Sequence, residues 1–128
     1  MAKNILSTTI QQLDANGQSL SRRVTSVTDA TPTVGDFRGL GLLTASGATS
    51  ISLPITQVRQ IQLRNTHASA KITVTWTPTT GASVVAGVLG PGDMIALWSQ
   101  TTGSTYGISA LSLNSDTANT TYEMFTGG

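Results

Sequence analysis

From Lys71 to Thr77 the chain alternates strictly, with Ile72, Val74 and Trp76 apolar and Lys71, Thr73, Thr75 and Thr77 polar between them. A period of two places these sets on opposite faces of a β-strand. In a helix the same residues would scatter round the cylinder and crowd β-branched threonines and valine together. The stretch therefore predicts a half-buried strand. Val58 to Arg64 repeats the pattern, with Ile61 and Leu63 on one face and Gln60 and Gln62 on the other. Between Gln57 and Trp98 four such runs, VRQIQLRN, KITVTW, SVVAGVLG and MIALW, are separated by turn-forming residues. Asn65 to Ala70 reads as a hairpin loop, and the whole stretch reads as a meander around which the rest of the chain is arranged. Gly90-Pro91-Gly92-Asp93 predicts a type II turn, because proline presets the first central φ and glycine supplies the positive second one.

The remaining sequence extends this pattern in both directions. Leu40, Leu42 and Leu43 lead through Ala45-Ser46-Gly47 into an alternating Thr49–Leu53, a hairpin signature, and Pro54 stops the strand or marks an edge. Tyr106 to Leu113 and Asn119 to Phe125 read as further strands. The total is eight or nine strands with a turn about every ten residues, the spacing of a sandwich or barrel. Composition agrees: 22 Thr and 14 Ser among 128 residues favour pleated, solvated faces over helices. Residues 1 to about 20 fit a short helix poorly, since Ser7, Thr8 and Thr9 interrupt it before the stop at Asp14–Gly17. An extended arm or early edge strand fits better. Val24 to Thr28 reads as strand, Thr31-Pro32-Thr33 as extended backbone and Gly35-Asp36 as a turn. The fold expected is all-β: an antiparallel β-sandwich, jelly-roll-like, at residues 36–128, with an extended N-terminal arm or edge segment at residues 1–35.

Charge and reactive side chains narrow the function. A net charge of +1, with Arg22-Arg23 the only adjacent basic pair, gives no electrostatic grip on nucleic acid or an anionic membrane. There is no long apolar run for a transmembrane helix, no apolar secretory signal, and no cysteine for disulfides, thiolate metal sites or catalysis. Synthesis in a cytoplasm is the expectation. The one histidine, His67, has no acidic neighbour in sequence and reads as a loop residue bonded locally. The six acids, Asp14, Asp29, Asp36, Asp93, Asp116 and Glu123, form no obvious catalytic pair. No phosphate-binding glycine loop or nucleophile elbow is present, so neither an enzyme nor a cofactor is expected. The Gly90–Asp93 turn is similar to one in jelly-roll enzymes of the cupin type, but the histidines that hold their metal have no counterpart, and Asp93 reads as a turn residue. Trp76 and Trp98 are read as core, with stacking on sugars beside Tyr106 as the alternative. Arg59 and Arg64 lie on the glutamine-bearing strand, where Arg and Gln suit either a solvated face or a contact face.

The run Ile61-Gln62-Leu63-Arg64-Asn65, the run Ile72 to Thr77, the turn Leu89 to Asp93 and the ending Tyr122-Glu123-Met124-Phe125 carry a resemblance. Over roughly residues 40 to 128 the chain resembles small structural proteins of tailed bacteriophages, most of all capsid decoration (cement) proteins. The resemblance is one of texture rather than of a diagnostic motif. It implies a non-enzymatic virion protein on the capsid surface, bridging neighbouring major capsid subunits. A homo-oligomer is implied with it, a trimer before a dimer. On charge alone, Arg22, Arg23, Arg59 and Arg64 are the candidate interface residues. The alternatives are a tail or fibre component of a phage, and a carbohydrate-binding β-sandwich module.

Overall fold

A computed structural model describes residues 4–13, 15–17, 19–28, 35–53, 58, 60–98 and 107–127, with side chains at 15–17, 41–53, 58, 60–97 and 107–126. All of its regular structure is β. Ten strands follow one another: β1 (Asn4–Leu13), β2 (Ser19–Thr28), β3 (Gly35–Leu43), β4 (Gly47–Ile51), β5 (Gln60–Asn65), β6 (Ile72–Pro78), β7 (Val84–Leu89), β8 (Met94–Trp98), β9 (Ile108–Ser115) and β10 (Thr120–Gly127). They form a two-stranded ribbon, β1-β2, and two four-stranded antiparallel sheets ordered β3-β10-β5-β8 and β4-β9-β6-β7.

That order is a jelly roll. From β3 onward the chain pairs with itself from the ends inward: β3 with β10, β4 with β9, β5 with β8 and β6 with β7. This long hairpin then rolls up, bringing β10 beside β5 and β9 beside β6. Rolling corrects the meander expected from sequence. β5 and β6 are not a hairpin, because residues 66–71 carry the chain from one sheet to the other. The turn at residues 44–46 likewise joins β3 to β4 across the sandwich. Among the described residues, only β6-β7 in the sandwich, and β1-β2 before it, are sequence neighbours that pair. The physical reason is that an alternating strand fixes which of its faces is buried and leaves open which strand lies beside it.

The N-terminal segment is strand, as preferred over a short helix: ten residues pair in register on each side of a turn, from Asn4 opposite Thr28 to Leu13 opposite Ser19. Gly17 turns the chain at φ +75°, a left-handed angle that costs glycine nothing. Gly35 and Asp36, read as a turn, instead begin β3.

The core lies between the two sheets. Ile61, Leu63, Tyr122 and Met124 come from one; Ile72, Val74, Leu89, Leu111 and Leu113 come from the other. Trp76 is half-buried against this cluster, as its alternation with Ile72 and Val74 requires. Val58 is buried and bridges to Ile108, tying the lead-in to β5 onto β9 of the opposite sheet. At the β3 edge, Gly41 stands opposite the buried Tyr122, and a Cβ on it would overlap the Tyr122 ring. Here an aromatic side chain covers a glycine across two strands, a device that pins register at a sheet edge.

Candidate docking faces

Several polar side chains of the described loops, Asn65, His67, Asp93 and Asp116, are engaged in holding those loops. Asn65, fully buried at the end of β5, donates its two Nδ2 hydrogens to the carbonyls of Ala70 (2.7 Å) and Leu89 (3.1 Å). Its Oδ1 accepts the His67 backbone N–H at 3.0 Å. His67 Nδ1 in turn accepts the N–H groups of Ser69 (3.2 Å) and Ala70 (2.9 Å), the local role read for it. In the β7–β8 turn, Asp93 Oδ2 accepts the Gly90 N–H at 2.8 Å, and Gly92 takes φ +82° as a type II turn demands. That turn is bonded to Asn65 itself, through Gly92 N–H to Asn65 C=O (2.9 Å) and Asn65 N–H to Asp93 C=O (2.9 Å).

The β9–β10 turn is held the same way. Asp116 Oδ1 accepts the Lys71 N–H (2.9 Å) and the Thr117 hydroxyl (3.0 Å). These bonds, the Lys71 N–H first, hold the carboxyl below its ordinary range. Ser115 and Thr120 bury a hydroxyl pair 2.6 Å apart beneath it. Among the described residues no three His, Cys, Asp or Glu side chains gather as a metal site would need.

What remains on the outside divides into two faces. The outer face of β3-β10-β5-β8 carries Arg64, exposed, directly between Glu123 of β10 and Met94 of β8. With Gln62 and Phe125 these residues line a shallow depression of about 170 Å³, and Gln62 Nε2 donates to Met94 Sδ at 2.9 Å. The outer face of β4-β9-β6-β7 is uncharged. One row across it reads Ala48, Asn114, Thr73, Val88, and the next reads Ser50, Ser112, Thr75, Val85. An open groove of about 560 Å³ runs over this sheet, walled by the hydroxyls of Ser50, Thr75, Thr77, Ser83, Ser109 and Ser112.

The polar faces of the two clearest alternating strands thus point away from each other. Gln62 and Arg64 lie on one outer face, while Thr73, Thr75 and Thr77 lie on the opposite one. Gln60, expected to be outward with Gln62, is completely buried at the start of β5, between Gly127 and Trp98 in register. Arg22 and Arg23 fall on β2, opposite Ile10 and Thr9, and their side chains lie outside the described residues. Arg59 and Tyr106, and the Trp98 side chain, also lie outside them. Sequence reasoning missed Asn65 as the junction of β5 with the β7–β8 turn. Its only signal was a buried-strand ending in Asn just before a histidine-containing loop. No family model matches the chain, and neither the curated proteins nor the solved structures compared with it give a match.

Proposed function

We propose that this chain is a non-enzymatic structural protein of a bacteriophage virion, one that binds the outside of the capsid and bridges major capsid subunits. The observation that carries the reading is the division of labour among polar groups. His67, Asp93, Asp116 and Asn65 are bonded into loops, while the outer faces present Arg64, Glu123 and rows of hydroxyls. Such a molecule offers surface. The β1-β2 ribbon suits the same role, because two strands that pair only with each other are marginally stable until they lie on something. In this reading Arg22, Arg23, Arg59 and Arg64 contact the capsid, and the chain acts as a homo-oligomer, a trimer or a dimer. Binding the assembled lattice in preference to its free subunits stabilises the lattice by mass action.

The test is to add the purified chain to capsids that lack it, then measure copies bound and the temperature of particle disruption. Saturation at the major capsid protein's copy number, or a simple fraction of it, together with a raised disruption temperature, supports the reading. Saturation at a few copies supports a tail or fibre component. A second reading, a carbohydrate-binding module, draws on the hydroxyl-walled groove, and glycan binding by a chain that ignores capsids would replace the first.

A further inference from the structure

Strand register builds the outer face of β3-β10-β5-β8 in rows. One row sets Glu123 of β10, Arg64 of β5 and Met94 of β8 side by side. The next sets Phe125 of β10 beside Gln62 of β5. On the other side of the Glu123 row, Leu42 of β3 stands opposite Thr121. Leu43, Leu63, Ile95, Tyr122 and Met124 alternate with these residues and face the core, which fixes this set on the outer side. The two edge strands each show a large apolar side chain to solvent, Leu42 at 54% and Met94 at 50%.

The face complements itself across its midline. Arg64 and Glu123 have opposite charge and are direct neighbours on β5 and β10, and the Gln62 amide and the Phe125 ring are neighbours in the same way. A two-fold axis parallel to the strands, midway between β10 and β5 in the plane of contact, lays a second sheet face down on the first. It exchanges β5 with β10 and β3 with β8. Arg64 of each copy then lies over Glu123 of the other, and Gln62 over Phe125. Leu42 comes down on β8 two rows of the ladder's pleat from Met94, roughly 7 Å along the strand and within reach of long side chains. A contact in which residue i meets j and j meets i is what a two-fold interface requires.

We infer that this face is where two copies of the chain meet, with Arg64 and Glu123 at the axis. Charge selects the occupant. A surface of either single sign satisfies one of the two residues and opposes the other. A second copy supplies both complements at once, so that four charges alternate in sign around the axis and each guanidinium can bond two carboxylates. The outer face of β4-β9-β6-β7, with its uncharged rows, has no such pair. Four strands spaced ~4.8 Å apart and about six residues long cover roughly 400 Å² of each copy, which sets a weak and reversible association. A two-fold contact makes a dimer, where the sequence favoured a trimer. The inference goes beyond the proposed function and moves Arg64 from the capsid contact to the contact between copies, leaving Arg22, Arg23 and Arg59 to the capsid.

Sedimentation velocity of the full chain over about a hundredfold concentration range gives the assembly state. The expected result is a reversible dimer. Arg64→Glu and Glu123→Arg each set like charges over one another twice and weaken the dimer by about a hundredfold. Both positions reach solvent, so each variant keeps the far-UV circular dichroism of the wild type. Mixed together, the two variants restore the complement at both places and form a heterodimer of wild-type affinity. Val85→Lys, at an exposed position on the opposite outer face, leaves the dimer unchanged. A wild-type monomer or trimer would overturn the inference. So would single variants that dimerise undiminished, a mixture that stays monomeric, or dissociation by Val85→Lys. The chain is tested alone, so none of these outcomes depends on whether it binds capsids.

Discussion

Asn65 illustrates how one buried side chain joins parts of this fold that are distant in sequence. Its carboxamide reaches from β5 to the carbonyl of Leu89, at the end of β7 in the other sheet, and to that of Ala70 ahead of β6. Replacing it with alanine leaves two buried carbonyls without their donors. The cost of unmet buried groups puts the loss of stability in Asn65→Ala at about 2 to 4 kcal/mol, measured by urea unfolding. Asp116 acts at the surface and through charge. Its folded carboxyl titrates below the ordinary 3.8, chiefly because the Lys71 N–H and then the Thr117 hydroxyl bond to the ionised form. A depressed folded pKa means that the contribution is complete above the unfolded value and is lost as pH falls through the folded one. Melting temperature between pH 5 and pH 2, ~ values chosen to span that window, should therefore fall less steeply in Asp116→Asn than in the wild type. Equal slopes would remove Asp116 from the acid response.

At the scale of the element, edge geometry is tested at Gly41. A methyl there meets the Tyr122 ring, which is buried and has β5 on the other side of its strand. Overpacking of this kind predicts that Gly41→Ala loses about 1 to 3 kcal/mol, read from chemical denaturation. An unchanged midpoint would mean that the ring moves freely. Gly41 also marks the limit of what the sequence made legible. Alternation was enough to identify β5 and β6 with their inward residues Ile61, Leu63, Ile72, Val74 and Trp76, and Pro91-Gly92 was enough to identify the type II turn. These depend on neighbours within a few positions. Pairing of β3 with β10, β4 with β9 and β5 with β8 depends on residues far apart in the chain, and a strand's own pattern is the same whichever partner it has. The same limit applied to the docking faces. The exposure of Arg64 followed from its strand, whereas the division of the threonines of β6 from Gln62 and Arg64 of β5 followed from the roll.

For the whole molecule, salt concentration tests whether charged side chains make the contact of the proposed function. Capsid binding in the proposed function rests on arginines, and exposed charges lose their reach as the screening length contracts from about 14 Å at 0.05 M salt to about 4 Å at 0.5 M. Raising salt over that range should therefore weaken capsid binding by about tenfold. Co-sedimentation with capsids in matched buffers measures the change. Capsid binding indifferent to salt would take the arginines out of the contact.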